Sequence, residues 1–253
     1  MADAKILEKG LNLVEELAQS AEGMTAVELA NSIGIHKTSV YRYLNTLLNA
    51  GYIQNNGDGH YHLGNKILEL GSQKLRRMPL RETAHPFLIK LSADTQMTVH
   101  LCVLDRQDVV YIDKVESQRS LPIISRIGSR APAYCTGVGK ALLSGLPTDQ
   151  VVSMLQGSIL EKRTATTITD PMQLLEELKA TAERGYAIDD GEHEEGIKCF
   201  AALIKGYGGD VAGAVSLTGL KRDFVEEVES ERMIATVTKT AAEISRELGH
   251  VER

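Results

Sequence analysis

The chain has 253 residues, 43% apolar and 25% charged, and its 34 acidic and 28 basic residues give a formal net charge of −6. That is the composition of a globular protein of one large or two modest domains. No run approaches ~18 apolar residues, so no membrane helix is expected, and the N-terminus lacks the apolar core of a secretory signal.

Three scattered cysteines, Cys102, Cys135 and Cys199, form neither a disulfide framework nor a zinc-ligand spacing. A reducing, cytoplasmic setting is expected, with no metal and no cofactor.

The first helix is expected over residues 5–18, with Ile6, Leu7, Gly10, Leu11, Val14 and Leu17 as its apolar stripe. Gly23 closes this unit. Thr25-Ala-Val-Glu28 reads as a capping box with Thr25 as N-cap, opening a short helix through residue 30. Asn31-Ser-Ile-Gly34 turns the chain, and His36-Lys-Thr-Ser starts another helix that buries Val40, Leu44, Leu47 and Leu48. Residues 52–54 and 60–63 are short strands around Asn55-Asn-Gly-Asp-Gly59, a hairpin signal. Helix, helix, tight turn, helix and hairpin is the order of a winged helix-turn-helix.

The average charge hides a local excess. Between residues 35 and 81 stand Lys37, Arg42, Lys66, Lys74, Arg76, Arg77 and Arg81 against Asp58 and Glu69. This stretch therefore carries +5 and the rest of the chain −11. Nucleic-acid binding follows the charge of the docking face, not of the whole molecule. The second helix of such a motif enters the major groove by its N-terminal residues. Helical spacing turns residues 38, 41, 42 and 45 outward, away from 40, 44, 47 and 48. The candidate DNA contacts are Thr25, His36, Lys37, Thr38, Ser39, Tyr41, Arg42, Tyr43, Asn45 and His60, with His62 as a further wing residue. Arg42 is the candidate for base readout, because arginine meets two acceptors on guanine; Lys37 is the candidate phosphate grip. The competing reading is a helix-turn-helix that only packs.

Residues 63–78 form the next expected helix, with Ile67, Leu70, Gly71, Lys74 and Leu75 along it, and Pro79 marks a boundary. A helix over 81–94 follows, where Pro86 is tolerated only near the first turn. Strands are expected at 98–104 and 109–115, joined by Asp105-Arg-Gln-Asp108, and at 121–127. Helices follow at 137–143 and 147–155. Asp170 and Pro171 are the N-cap and first residue of another, ending at Arg184-Gly185. Strands at 186–188, 197–204 and 211–217 precede a closing helix over 225–248. Hairpins flanked by helices imply an antiparallel sheet covered by helices, an α+β domain.

Two motifs invite sharper readings. Gly137-Val-Gly-Lys140 lacks the glycine at 134 and the Ser or Thr at 141 of a phosphate loop, since those positions hold Tyr134 and Ala141. Helix-start packing explains it better. Asp189, Asp190, Glu192, His193, Glu194 and Glu195 suggest a metal cluster or acid–base pair, yet such a run usually forms a solvated turn. Cys199 with His193 lacks an oxyanion motif, and a buried small residue lining a pocket is the better reading.

Four stretches together resemble the IclR-type family of bacterial transcriptional regulators. They are the run from His36 to Leu44, Arg126-Ile-Gly-Ser-Arg-Ala-Pro with Thr136-Gly-Val-Gly-Lys-Ala, Asp189-Asp-Gly-Glu-His-Glu-Glu-Gly-Ile-Lys-Cys199, and Ala212-Gly-Ala-Val-Ser-Leu-Thr-Gly219. The resemblance covers essentially the whole chain, and regulators of sugar-acid catabolism are its nearest subgroup. It implies a winged helix-turn-helix over 1–65 (the helix-turn-helix at about 25–45), a linker helix over 66–79 and a GAF-like effector domain over 80–253. It further implies homodimers, or tetramers, on palindromic double-stranded operators. Carried over by motif position, the effector site comprises Ala131, Thr136, Gly137, Val138, Asp189, Ile197, Cys199, Ser216 and Thr218. In that mapping the main-chain N–H groups of Thr136, Gly137 and Val138, at a helix start, suit a carboxylate.

The expected function is a DNA-binding regulator, a repressor, controlled by a small organic acid that includes sugar acids as a class. An activator is the alternative within the family. An enzyme acting on small acids and a protein-interaction module that leaves DNA alone are the readings from other classes.

Overall fold

The computed structural model describes residues 2–116, 125–224 and 227–251. The chain divides into two compact units, Met1–Arg77 and Met78–Arg253.

The first unit runs α1 (Ala2–Gln19), β1 (Met24–Thr25), α2 (Ala26–Ser32), α3 (Lys37–Asn49), β2 (Ile53–Asn55), β3 (His60–Leu63) and α4 (Asn65–Arg76). Thr25 caps α2 as its sequence demands. The Thr25 hydroxyl accepts the Glu28 N–H at 3.3 Å, while Glu28 Oε2 accepts the Thr25 N–H at 2.7 Å. The expected hairpin gains a third strand, because β1 pairs with β3 through Met24↔Tyr61 and Thr25↔His60. At the wing tip, Asn55 and Asp58 side chains accept the N–H groups of Gly57 and His60. Gly57 and Gly59 take φ of +89° and +87°, which favours glycine at both positions.

The core of this unit is Leu13, Leu17, Ala26, Leu29, Ala30, Val40, Leu44 and Ile53. The expected stripe of α1 is therefore corrected. Leu17 is buried and Val14 half-buried, but Leu13 takes the central place, and Ile6, Leu7 and Leu11 are exposed. This helix carries two apolar rows at i, i+4 spacing. Only the row through Leu13 and Leu17 reaches α2, α3 and β3. Leu47 and Leu48 are likewise only half-buried, and α4 buries no side chain completely.

The second unit runs α5 (Pro79–Thr95), β4 (Thr98–Asp105), β5 (Asp108–Val115), β6 (Arg130–Pro132), a 3-10 turn (Ala133–Cys135), α6 (Gly137–Ser144), α7 (Thr148–Leu155), α8 (Pro171–Arg184), β7 (Ala187–Asp190), β8 (Ile197–Lys205), β9 (Val211–Leu220), a 3-10 turn (Lys221–Phe224) and α9 (Glu227–Glu247). Six antiparallel strands lie in the order β6-β5-β4-β9-β8-β7.

Strand periodicity splits the core in two. Val99, Leu101, Phe200, Ala202, Ile204, Val215 and Leu217 meet the stripes of α5 and α9. On the other face, Cys102, Ala201 and Ala214 meet α6, α7 and α8. Both faces are covered, which explains the nearly continuous apolar reading of β8 and β9.

Three expectations change here. α5 begins at Pro79, whose missing N–H suits the first helical position, so Pro86 sits in the helix interior rather than the first turn. The buried stripe Leu80, Ala84, Leu88 and Leu91 holds the helix together despite the lost hydrogen bond. The edge strand β6 was not expected. Of the strand expected over 121–127, residues 121–124 lie outside the described residues, and 125–127 are not strand. No helix among the described residues is long and apolar enough to cross a membrane.

Candidate nucleic-acid interface and ligand cavity

In the first unit, α3 presents Lys37, Thr38, Tyr41, Arg42 and Asn45 to solvent, with Ser39 and Tyr43 half-buried. His36 is the extended N-cap residue, and its exposed side chain makes no capping bond. His36 O accepts from Ser39 and Val40, so Lys37 and Thr38 N–H groups begin the helix without an intrahelical partner. That end favours a phosphate.

Two cations lie over aromatic rings. Lys37 Nζ is 6.0 Å from the Tyr41 centroid, and Arg42 Cζ is 5.4 Å from that of Tyr43. The second contact holds the guanidinium on the outer face, restricting the rotamers it must give up on docking.

Thr25 and His60 are cross-strand neighbours where β1 meets the tip end of β3. Both donors of Thr25 are committed to Glu28 Oε2, its hydroxyl at 2.8 Å. These two bonds hold the Glu28 carboxyl below the usual carboxylate range. Thr25 therefore sets α2 in place and has no spare donor for a phosphate. His60 stands 3.8 Å from Asp58 at the wing tip. His62 packs beneath Gly23, where an added Cβ would come within 2.5 Å of its ring.

In the second unit, the nine residues named from the effector motifs line one cavity of about 140 Å³. Ala131 comes from β6, Thr136 to Val138 from the start of α6, Asp189 from β7, Ile197 and Cys199 from β8, and Ser216 and Thr218 from β9. Thr136 caps α6. Its Oγ1 accepts the Gly139 N–H at 3.2 Å and donates to Pro132 O at 3.0 Å. The N–H groups of Gly137 and Val138 remain the open donors of the first turn. Gly137 lies so close to the sheet that a Cβ there would stand 3.3 Å from Cys199 Cβ and 3.7 Å from Asp189 Cβ.

Seven further residues line the cavity that were not expected in the effector site: His100, Tyr111, Ser125, Ser129, Arg130, His193 and Glu194. His100 was legible only as an isolated histidine in an apolar strand. It is buried between Ser125 Oγ at 2.7 Å and Thr218 Oγ1 at 3.2 Å. Burial, helped by the Lys114 charge, pushes it down to about 3. The neutral ring therefore donates to one hydroxyl and accepts from the other. Arg130 is spent on the outside, with Nη1 2.6 Å from Asp105 and Nε 3.1 Å from Asp108. Burial and then Asp189 raise the Cys199 thiol, which disfavours the thiolate a nucleophile needs.

The acidic run is not the solvated turn its composition suggested. Asp189 and Glu192 are buried, while Asp190, Glu194 and Glu195 are exposed. Asp189 Oδ1 accepts the N–H of Glu192 at 2.7 Å and of His193 at 3.4 Å. Among the described residues, no group of three or more His, Cys, Asp or Glu is placed to hold a metal.

Burial pushes the Asp189 carboxyl up to about 7, against the Glu192 N–H bond; the Glu192 charge adds to the rise and the Lys140 ammonium opposes it. The folded value exceeds the unfolded one, so the folded state holds this proton more tightly. The stability from this site is complete below the unfolded value of 3.8 and is lost as pH rises to about 7. Asp189→Asn is expected to remove that slope. Urea midpoints of wild type and variant, followed from about pH 4 to about pH 8, should diverge through this window; parallel curves would contradict the assignment.

Residues 6–57 match the family model described as the IclR helix-turn-helix domain, and residues 72–246 match the one described as bacterial transcriptional regulator IclR C-terminal. The HTH-type transcriptional regulator KdgR of Escherichia coli is 34% identical over 244 residues, covering 96% of this chain and 92% of its own. The acetate operon repressor of Salmonella typhimurium is 33% identical over 246 residues, covering 96% and 89%. The crystal structure of the Thermotoga maritima IclR has 33% sequence identity and a TM-score of 0.80, covering 98% of this chain and 100% of that one.

Proposed function

The chain belongs to the IclR family of bacterial transcriptional regulators, and we propose that it is a cytoplasmic repressor released from, or held on, its operator by a small organic acid. The relatives named above regulate transcription and are not enzymes. The observation that carries the acid is the cavity itself: nine residues from five elements converge on the open end of a helix. A carboxylate takes the Gly137 and Val138 N–H groups. Hydroxyl or oxo groups take Ser216, Thr218 and Asp189.

Size narrows the class. A cavity of ~150 Å³ admits benzene, so about 140 Å³ suits an acid of two to four carbons.

On the DNA side, α3 enters the major groove of each half of a palindrome, and two copies of the chain supply the two reading heads. The linker around α4 is the lever. The acid shifts operator affinity only as far as it binds one arrangement better than the other.

Selection of bound duplexes from a random pool, at stated salt, tests the first half of this reading. An enriched palindrome is the expected result, and an unenriched pool from folded protein overturns it. On the selected site, Arg42→Ala should cost about 1–3 kcal/mol and relax one base position. Lys37→Ala should weaken all sequences alike and lower the salt slope by about 1. An Arg42 variant that binds the selected site as tightly as wild type, and discriminates against scrambled sites equally well, would contradict base readout.

A further inference from the structure

The lysine of Gly137-Val-Gly-Lys140 has entered so far only as a charge near Asp189, yet it is among the largest fully buried side chains of the described residues, 1% exposed. It sits on α6 one turn after the open N–H groups. Its ammonium bonds Glu192 Oε1 and stands 3.6 Å from Glu177 Oε1 on α8, which Arg184 holds in turn at 2.7 Å. Glu192 is the residue whose N–H fixes Asp189 Oδ1.

The other face of that turn is held by hydroxyls. Thr167 Oγ1 donates to Glu192 O at 2.7 Å, and Thr164 and Thr166 donate to Gly191 O at 2.6 and 2.8 Å. These threonines hold the turn to the 164–167 loop. Among the described residues, the polar side-chain contact that ties it to α6 is the ammonium.

We propose that Lys140 is a positioning residue of the ligand cavity: through Glu192 it holds the 189–193 turn against α6, and so sets the distance between the Asp189 carboxyl and the Gly137 and Val138 N–H groups. This rests on reading the cavity as the ligand site. The physical case is one of economy. A buried ion pair is seldom worth more than well-packed apolar side chains of equal volume. Leucine and methionine also suit the position, since Val138, Ala141, Leu142 and Leu143 around it are all buried. A charge buried there is explained by what it orients. The two carboxylates it meets lie on different elements, the 189–193 turn and α8, so one side chain ties together α8, the turn and α6, the last two of which line the cavity.

The test needs no ligand, so failure of the acid reading leaves it intact. Lys140→Met combined with Glu192→Met removes both charges while keeping the volume apolar. Amide hydrogen exchange over residues 189–194 and 136–140 is read in the full chain, alongside melting temperature. The expected result is a variant melting close to wild type whose exchange in these two segments rises tenfold or more, with β8 and β9 unchanged. Unchanged protection in that folded variant overturns the proposal and leaves the pair a filler of space.

If the double variant fails to fold, Glu177→Gln gives the second reading. It loosens the outer half of the array at a half-buried site, and the same two segments should exchange several-fold faster. An exchange increase confined to α8 overturns the proposal. Where an acid of two to four carbons binds wild type, the double variant should lose affinity at least tenfold while Lys140→Arg recovers most of it.

Discussion

Lys140→Met on its own should destabilise the second unit by about 3–5 kcal/mol at neutral pH. The loss comes from Glu192, not from the missing lysine contacts. Glu192 is buried, its Oε2 already lacks a partner, and burial raises its carboxyl even with the ammonium beside it. Without Lys140 nothing of opposite charge remains within bonding distance among the described residues. The side chain must either ionise uncompensated or take up a proton. The folded value is thereby raised further above the unfolded one, so the penalty is full above the raised value and shrinks as pH falls toward the unfolded one. Urea unfolding at about pH 7 and about pH 5 measures both statements. A loss under about 1 kcal/mol at pH 7, or one that does not shrink at pH 5, would contradict the account.

Gly139→Ala is the second large effect, and propensity alone predicts the opposite sign. Alanine stabilises a helix interior by about 1 kcal/mol over glycine. At 139, however, an added Cβ would stand 2.1 Å from Ala133 O and 2.4 Å from Ala133 Cα, both backbone atoms of the preceding 3-10 turn. That turn leads into Thr136, which caps α6, so the helix start must shift with it. Overpacking of this kind costs about 1–3 kcal/mol or more, and the shift moves the Gly137 and Val138 donors. Gly71 in α4 is the matched control, since nothing lies within 4 Å of a Cβ there. Gly71→Ala should gain up to about 1 kcal/mol. Thermal melts of the two variants should move in opposite directions. Movement of both upward would show that the close approach of the 3-10 turn to α6 does not constrain residue 139.

What was legible from sequence was mainly local. Thr25 and Glu28 satisfy each other across three residues, and Asp170 with Pro171 opens α8 by their own chemistry, with Asp170 Oδ1 accepting the Met172 and Gln173 N–H groups. The hairpin at 53–63 carries its turn residues within it. The misreadings all needed long-range information. Leu11 and Leu13 are equally apolar, and only the placement of α2 and α3 decides which is buried. Pro86 is out of place by local rules but is held by the packed stripe of α5.

The same holds at the cavity. Ser216 and Thr218 share a strand face by periodicity, whereas His100 joins them only because β4 pairs with β9 in the register His100↔Ser216. The acidic run looked solvated because its neutralising lysine lies 52 residues away. The signal that was available is a lone lysine inside an otherwise apolar helix, which requires a buried acid somewhere.

The most direct test of the central claim, that an acid in the cavity sets the affinity of α3 for DNA, is a linkage measurement. Two- to four-carbon hydroxy and oxo acids are titrated into the complex of wild-type protein with its selected operator, and the same acids are titrated calorimetrically into protein with and without that duplex. The account predicts that one acid changes operator Kd about tenfold, that operator changes that acid's Kd by the same factor, and that Ser216→Ala with Thr218→Val abolishes both shifts. An acid that binds with the same affinity whether or not operator is present, or an operator response that survives the loss of both hydroxyls, would contradict it.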